Sequence, residues 1–305
     1  MHSVLYTLQR RAFTMLELIF VIIILGIVSS ISAEIIAKVY ESYIVQRATH
    51  RSSVKTELAA LQIVNRLTYA IPDTVIGRKS ATNATYRAID NFNDSNYTVL
   101  QWMGYDADSF GAHTTTSQKP GWSGLCDVDA STATNIVTPG SQLALTNTII
   151  GNLSNSTKNI SDSALFFAST FTPGIIGYGA NNSGLSTVNT GGADFITLNA
   201  AGTRNISELY KLAWSSYAIV PIKRDGSVCT DPANEICDLE LRYDFQPWAA
   251  GSSYTVNYSS SILLRNVTVF RFVGTGNTIR FKLCQRENIG EDSNITTCKE
   301  KAVIR

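Results

Sequence analysis

From Phe13 to about Ser32 the chain runs twenty residues with a single charged side chain, Glu17. At about 1.5 Å rise per residue such a segment spans roughly 30 Å, the thickness of a bilayer's hydrocarbon core. Arg10 and Arg11 stand directly before it, and no comparable basic cluster follows closely. By the positive-inside rule the N-terminus is cytoplasmic and everything after residue 33 lies outside a bacterial inner membrane. A secretory signal peptide is one rival, since "SSISAE" at 29–34 offers small residues for cleavage. Against it, the span is long and helical character runs past Ala33 without a Pro or Gly break. A plain N-terminal anchor is the other rival, and it leaves Glu17 unexplained: a carboxylate in hydrocarbon costs several kcal/mol unless something pairs with it.

Helical periodicity continues beyond the span. Ile35, Ile36, Val39 and Tyr43, then Val54, Leu58, Leu61, Val64, Leu67 and Ile71, recur at three- and four-residue intervals. Charged residues occupy much of the other side, so residues 33–71 read as an amphipathic continuation of the helix. Pro72 disfavours helix in the residue before it, which sets the expected end at Ile71. The apolar stripe needs a cover, and the C-terminal part, 211–305, supplies a candidate. "YAIVPIKR" (217–224) and "CDLELRYDF" (237–245) are strand-like, and "NVTVFRFVGTGNTIRFKLC" reads as a hairpin around Gly-Thr-Gly-Asn. Val267, Val269, Arg271 and Val273 are expected on one face, with Phe270 and Phe272 on the other. Between helix and sheet, residues 72–210 form a long polar insertion with strand candidates "ALFFAST", "GIIGYGA" and "ADFITLNA". The fold class is therefore α+β, one long helix on an antiparallel sheet.

The chemistry search excludes more than it finds. With three histidines, His2, His50 and His113, no Ser-His-Asp or Cys-His set can be assembled, and no phosphate loop or zinc-protease motif is present. No enzymatic activity is expected. Net charge is +1, and losing Arg10 and Arg11 with a leader turns it to −1, so no direct nucleic-acid binding is expected. Of five cysteines, four fall late as C-x7-C and C-x13-C, spacings that fit no usual zinc pattern. Disulfides Cys229–Cys237 and Cys284–Cys298, with Cys126 unpaired, suit an oxidising compartment; buried free thiols are the alternative. The loop "DGSVCTDPANEICD" gathers Asp225, Asp231, Asn234, Glu235 and Asp238, oxygen ligands suited to Ca²⁺ but not in EF-hand spacing. Solvated loop acids are the competing reading.

The stretch "AFTMLELIFVIIILGIV" resembles the N-terminal segment of type IV pilins and type II secretion pseudopilins. That family has a short basic leader, a small residue before the cut, Phe after it, and Glu as fifth residue of the mature chain. With Ala12 as last leader residue, Phe13 is the first mature residue and Glu17 the fifth. Ala12 departs from the Gly usual in the family, and the match covers about 25 residues. The resemblance implies a leader (1–12) cut after Ala12 by prepilin peptidase, N-methylation of Phe13, and pairing of Glu17 with the N-terminal amine of a neighbouring subunit. It also implies calcium in the C-terminal loops of some members, and as partners other major and minor pilins or pseudopilins, an inner-membrane assembly platform and the lipid bilayer. "SSVKTELAALQIVNRLTYAIPDTV" resembles, less specifically, the helix of J-type pseudopilins and W-type minor pilins; the retained Glu17 argues against the K-type. The implied function is a minor subunit that helps initiate or cap a filament in secretion, pilus assembly or DNA uptake. The alternative is a membrane-anchored periplasmic binding module or adhesin that never polymerises.

Overall fold

A computed structural model describes residues 14–80, 85–167, 178, 185–199, 206–229, 235–290 and 293–304. The first helix, α1, runs unbroken over Met15–Thr68, about 80 Å at 1.5 Å per residue. It ends three residues earlier than Pro72 alone requires. Tyr69 caps it, Ala70 bridges to Gly104, and the Ile71 N–H is given to the Met103 carbonyl at 2.8 Å. The last turn is thus surrendered to a strand rather than stopped by the proline.

Strands β1 (Ile76–Arg78), β2 (Tyr86–Ala88) and β3 (Val99–Gly104) follow, then a short helix α2 (Ala107–Gly111), β4 (Asn135–Val137) and α3 (Leu143–Leu153). Next come β5 (Ala164–Phe167), β6 (Leu185–Gly191), β7 (Phe195–Leu198) and β8 (Tyr210–Ala213). The chain closes with β9 (Ser215–Ile222), β10 (Cys237–Phe245), β11 (Ser259–Thr275), β12 (Thr278–Ile289) and β13 (Ser293–Ile304). They form an eight-stranded sheet in the order β13-β12-β11-β10-β9-β3-β1-β2 and a five-stranded sheet in the order β4-β7-β6-β5-β8, antiparallel throughout. Three strands from the region read as an insertion, β1 to β3, therefore extend the large sheet past β9. Of the other strand candidates there, "ALFFAST" and "ADFITLNA" contain β5 and β7, while "GIIGYGA" lies, except for Tyr178, outside the described residues.

The hairpin forms as its alternation requires. β11 and β12 join through Gly276 and Asn277, with Gly276 at φ +53°. Phe270 and Phe272 point inward with Ile279, Phe281 and Leu283, all buried. Val267 joins them instead of sharing a face with Val269, because the register slips between these two valines and turns the strand over. Such a bulge places two residues opposite one and re-aims the side chains that follow. Gly274 is required for a closer reason: it exchanges two backbone bonds with Phe92 at 3.0 Å, and a Cβ there would meet the Ile89 carbonyl oxygen at 1.9 Å.

On this inner face α1 lays Ala59, Ala60, Ile63 and Leu67 into the core. Nearer the helix N-terminus, the Ser52 and Thr56 hydroxyls both reach Gln285 Oε1 at 3.3 Å, and Glu57 is held between Lys299 and Lys301 of β13. Small residues let the helix backbone approach the sheet, and its hydroxyls satisfy the one buried amide they meet.

The smaller sheet has its own core, built from Ile136, Leu143, Leu165, Val188, Ile196 and Leu212. Asp106 caps α2, accepting the Ser109 N–H at 3.1 Å, and its backbone carbonyl accepts the Trp122 indole N–H at 2.8 Å. Burial pushes the Asp106 carboxyl up to about 6, against the pull of its Ser109 bonds. An unfolded aspartate titrates near 3.9, so folding favours the neutral form. That contribution is complete below about pH 4 and is lost as pH rises through about 6. Asp106→Asn keeps the capping oxygen and removes the charge. It should gain about 1–3 kcal/mol at pH 7 and nothing at pH 4, read from denaturant titrations at both pH values.

Candidate functional site

The fold leaves one long element unpaid for: α1 outside its contact with the sheet. The stretch from Met15 is long and apolar enough to cross a membrane, and none of that window is buried within the protein. At its start Thr14 caps the helix, its Oγ1 accepting the Glu17 N–H at 3.3 Å. Thr14 and Glu17 thus stand at the two positions of a Thr-x-x-Glu helix start, which favours an acid in the first turn irrespective of any partner. This local signal is legible in "TMLE" and is a second reason for the residue. The Glu17 carboxylate itself is exposed. Arg10, Arg11, Ala12 and Phe13 lie outside the described residues.

Beyond the membrane the helix buries only the last part of the stripe expected from its periodicity: Leu67 and, just past the helix end, Ile71 are buried and Val64 packs against the core. Val54, Leu58 and Leu61 are 44%, 58% and 41% exposed, whereas Ile63 is 1% exposed. Each outward residue lies two positions, about 200° of helical rotation, from a buried one: Val54 from Thr56, Leu58 from Ala60, Leu61 from Ile63. The covered face carries Ser52, Thr56, Ala59 and Ala60, whose small side chains allow a close approach to β12 and β13, followed by Ile63 and Leu67. Val54, Leu58 and Leu61 are left exposed, Leu58 at the edge of a cleft beside Ile262, Leu263 and Leu264 of β11, in line with exposed Ile36, Tyr40 and Tyr43 nearer the membrane and with the exposed Arg47 and Arg51 between them.

Lipid cannot cover the upper part of that face. Leu58 stands 26 residues past Ser32, about 39 Å of helix, while headgroups extend only some 5–8 Å beyond the hydrocarbon. Isolated exposed leucines are ordinary; here Val54, Leu58 and Leu61 are exposed together on one side of the helix.

The late cysteines are joined as two pairs, Cys229 with Cys237 and Cys284 with Cys298, and Cys126 is free and buried. Cys284 and Cys298 face each other across β12 and β13, tying the edge strand that carries Lys299 and Lys301 under α1. Replacing both by serine opens a 15-residue loop and should cost about 3 kcal/mol in the chain-entropy model, seen as a lower melting temperature under non-reducing conditions only.

The acidic loop does not gather into a cation cage among the described residues. Asp225 accepts the Ser227 N–H at 2.9 Å, and its carboxyl is held below the usual range chiefly by bonds to Ser227. Glu235 pairs with Lys223 at 3.1 Å, and Asp238 with Arg265 at 3.1 Å. Glu235 lies beside Cys229 and Cys237, but their sulfurs are spent in a disulfide. Asp231 and Asn234 lie outside the described residues. Among the described residues the acids of this loop are engaged locally, Asp225 with Ser227, Glu235 with Lys223 and Asp238 with Arg265.

In class, this is a long N-terminal apolar helix laid on a β-rich domain with a large antiparallel sheet, pilin-like in general layout. No family model matches the chain, and searches of curated proteins and of solved structures return no match.

Proposed function

We propose that the chain is a minor pilin or pseudopilin, cut by prepilin peptidase after Ala12, N-methylated at Phe13, and built into the end of a filament of a secretion, pilus or DNA-uptake machine. One observation carries most weight: Val54, Leu58 and Leu61 on one face of α1 stay exposed although Leu58 stands about 39 Å of helix beyond Ser32. A solitary anchored protein has no use for that face, whereas parallel helices of neighbouring subunits would cover it. The basic residues, Phe13 and Glu17 at family spacing agree with this reading. In it the N-terminus is cytoplasmic, the β-rich part periplasmic, and the partners are other pilins or pseudopilins and the assembly platform.

N-terminal mass spectrometry of the membrane-extracted protein is the direct test. Loss of residues 1–12 with a methylated Phe13 is the expected result. An intact leader, or a cut near Ala33, would leave the anchored binding module or adhesin as the better reading.

A further inference from the structure

We propose that the cleft between α2, the loop 121–124 and β8 binds a small organic anion, an aromatic or branched apolar group bearing a carboxylate, with Lys211 as the counter-charge. The cleft encloses about 310 Å³ and opens to solvent. Its walls are rings: Phe110 and Trp122 have centroids 4.8 Å apart, Trp122 and Tyr210 5.7 Å. Phe110 and Leu209 are exposed at its rim.

The polar ends of the wall rings are turned elsewhere. Trp122 gives its indole N–H to the Asp106 carbonyl at 2.8 Å, and the Tyr210 hydroxyl lies 2.7 Å from Thr138 Oγ1. Ser123 is likewise engaged, its Oγ 3.2 Å from Thr138 Oγ1. What remains for a ligand is apolar ring surface, Tyr105 and one amine. Lys211 Nζ sits 4.9 Å from the Tyr105 ring centroid, and among the described residues no carboxylate pairs with it. Burial alone pulls its ammonium below the usual lysine range.

These features set the ligand's chemistry. A cation is repelled, and a neutral apolar molecule would strip more water from the ammonium and return nothing. An anion restores the lost solvation and places its apolar body against the rings. The cleft has room for one ring with a short acid chain. A free aryl carboxylate and the carboxyl end of a peptide finishing in phenylalanine share this chemistry.

The test uses the full chain in nanodiscs and ligand-observed NMR with 3-phenylpropionate, 3-phenylpropan-1-ol and the peptide Gly-Gly-Phe as free acid and as amide. Saturable binding of the acids is expected, with the alcohol and the amide at least tenfold weaker. Lys211→Gln should abolish that preference while Lys211→Arg retains it, and both should melt with the parent so that a folding defect is seen as such. Phe110→Ala, at the exposed rim, should weaken acid and alcohol alike. The proposal is overturned if no acid binds saturably, if acid and alcohol bind equally, or if Lys211→Gln leaves the preference intact. Tighter binding of Gly-Gly-Phe than of 3-phenylpropionate assigns the site to a peptide end, and the reverse order to a free acid.

Discussion

Glu17→Val is expected to leave the chain in the membrane and cut at the same bond, yet to lower its recovery in sheared filaments at least tenfold. Valine removes a charge that resists insertion, by up to about 3 kcal/mol on translocon scales, so membrane integration should hold or improve. The Thr14 cap is kept, because Thr14 accepts the backbone N–H of residue 17, which any side chain supplies, and the helix start loses only the first-turn acid, worth about 0.3–1 kcal/mol. Only the carboxylate disappears. If it neutralises the N-terminal amine of a neighbour, its loss leaves a cation unpaired at the lipid boundary, and breaking such a pair costs about 3–5 kcal/mol. Glu17→Gln separates charge from size: it should assemble as poorly as valine although it keeps a polar group of the same length. Incorporation of either variant at the parent level would show that Glu17 serves its own helix start and nothing more.

How much was legible in the sequence depended on whether one signal had a rival. The membrane-length run had no rival as a helix, whatever its fate in the membrane, and that helix is there. β10 falls on Cys237–Phe245, the same residues as the strand-like segment, because a run of alternating large residues bounded by polar loops has few other uses. The hairpin was legible in its turn and in Phe270, Phe272, Ile279, Phe281 and Leu283, but not across Val267 and Val269, since nothing in the local pattern marks the bulge.

The helix face was ambiguous for a definite reason. Val54-Leu58-Leu61 and Thr56-Ala60-Ile63 repeat with the same period in opposite phase, so periodicity cannot say which side meets the sheet. Hydrophobicity favours the first and close packing the second. The clue lay in the small residues Ser52, Thr56, Ala59 and Ala60, which cover little apolar area yet admit a neighbouring strand. The aromatic cleft was not legible at all: its residues come from positions 105–124 and 209–211, and only the fold brings them together.

That opposition of phases yields the sharpest test of the assembly face. Leu58→Glu should leave the melting temperature of the detergent-solubilised chain within about 2 °C of the parent, since substitutions at exposed positions usually change stability by no more than about 0.5 kcal/mol. Its incorporation into filaments should nevertheless fall at least tenfold, because the new carboxylate would be buried against a neighbouring helix without a partner. Ile63→Ala should behave the other way. Ile63 is 1% exposed in the core between α1 and the sheet, so truncation should cost about 2–5 kcal/mol and lower the melting temperature by roughly 5–15 °C for a chain of this size. What survives folding should still assemble, since the outward face is unchanged. If Leu58→Glu melts as low as Ile63→Ala, the outward placement of Leu58 is wrong. If it melts normally and also assembles normally, α1 presents that face to solvent alone, and the reading of the chain as a filament subunit loses its main support.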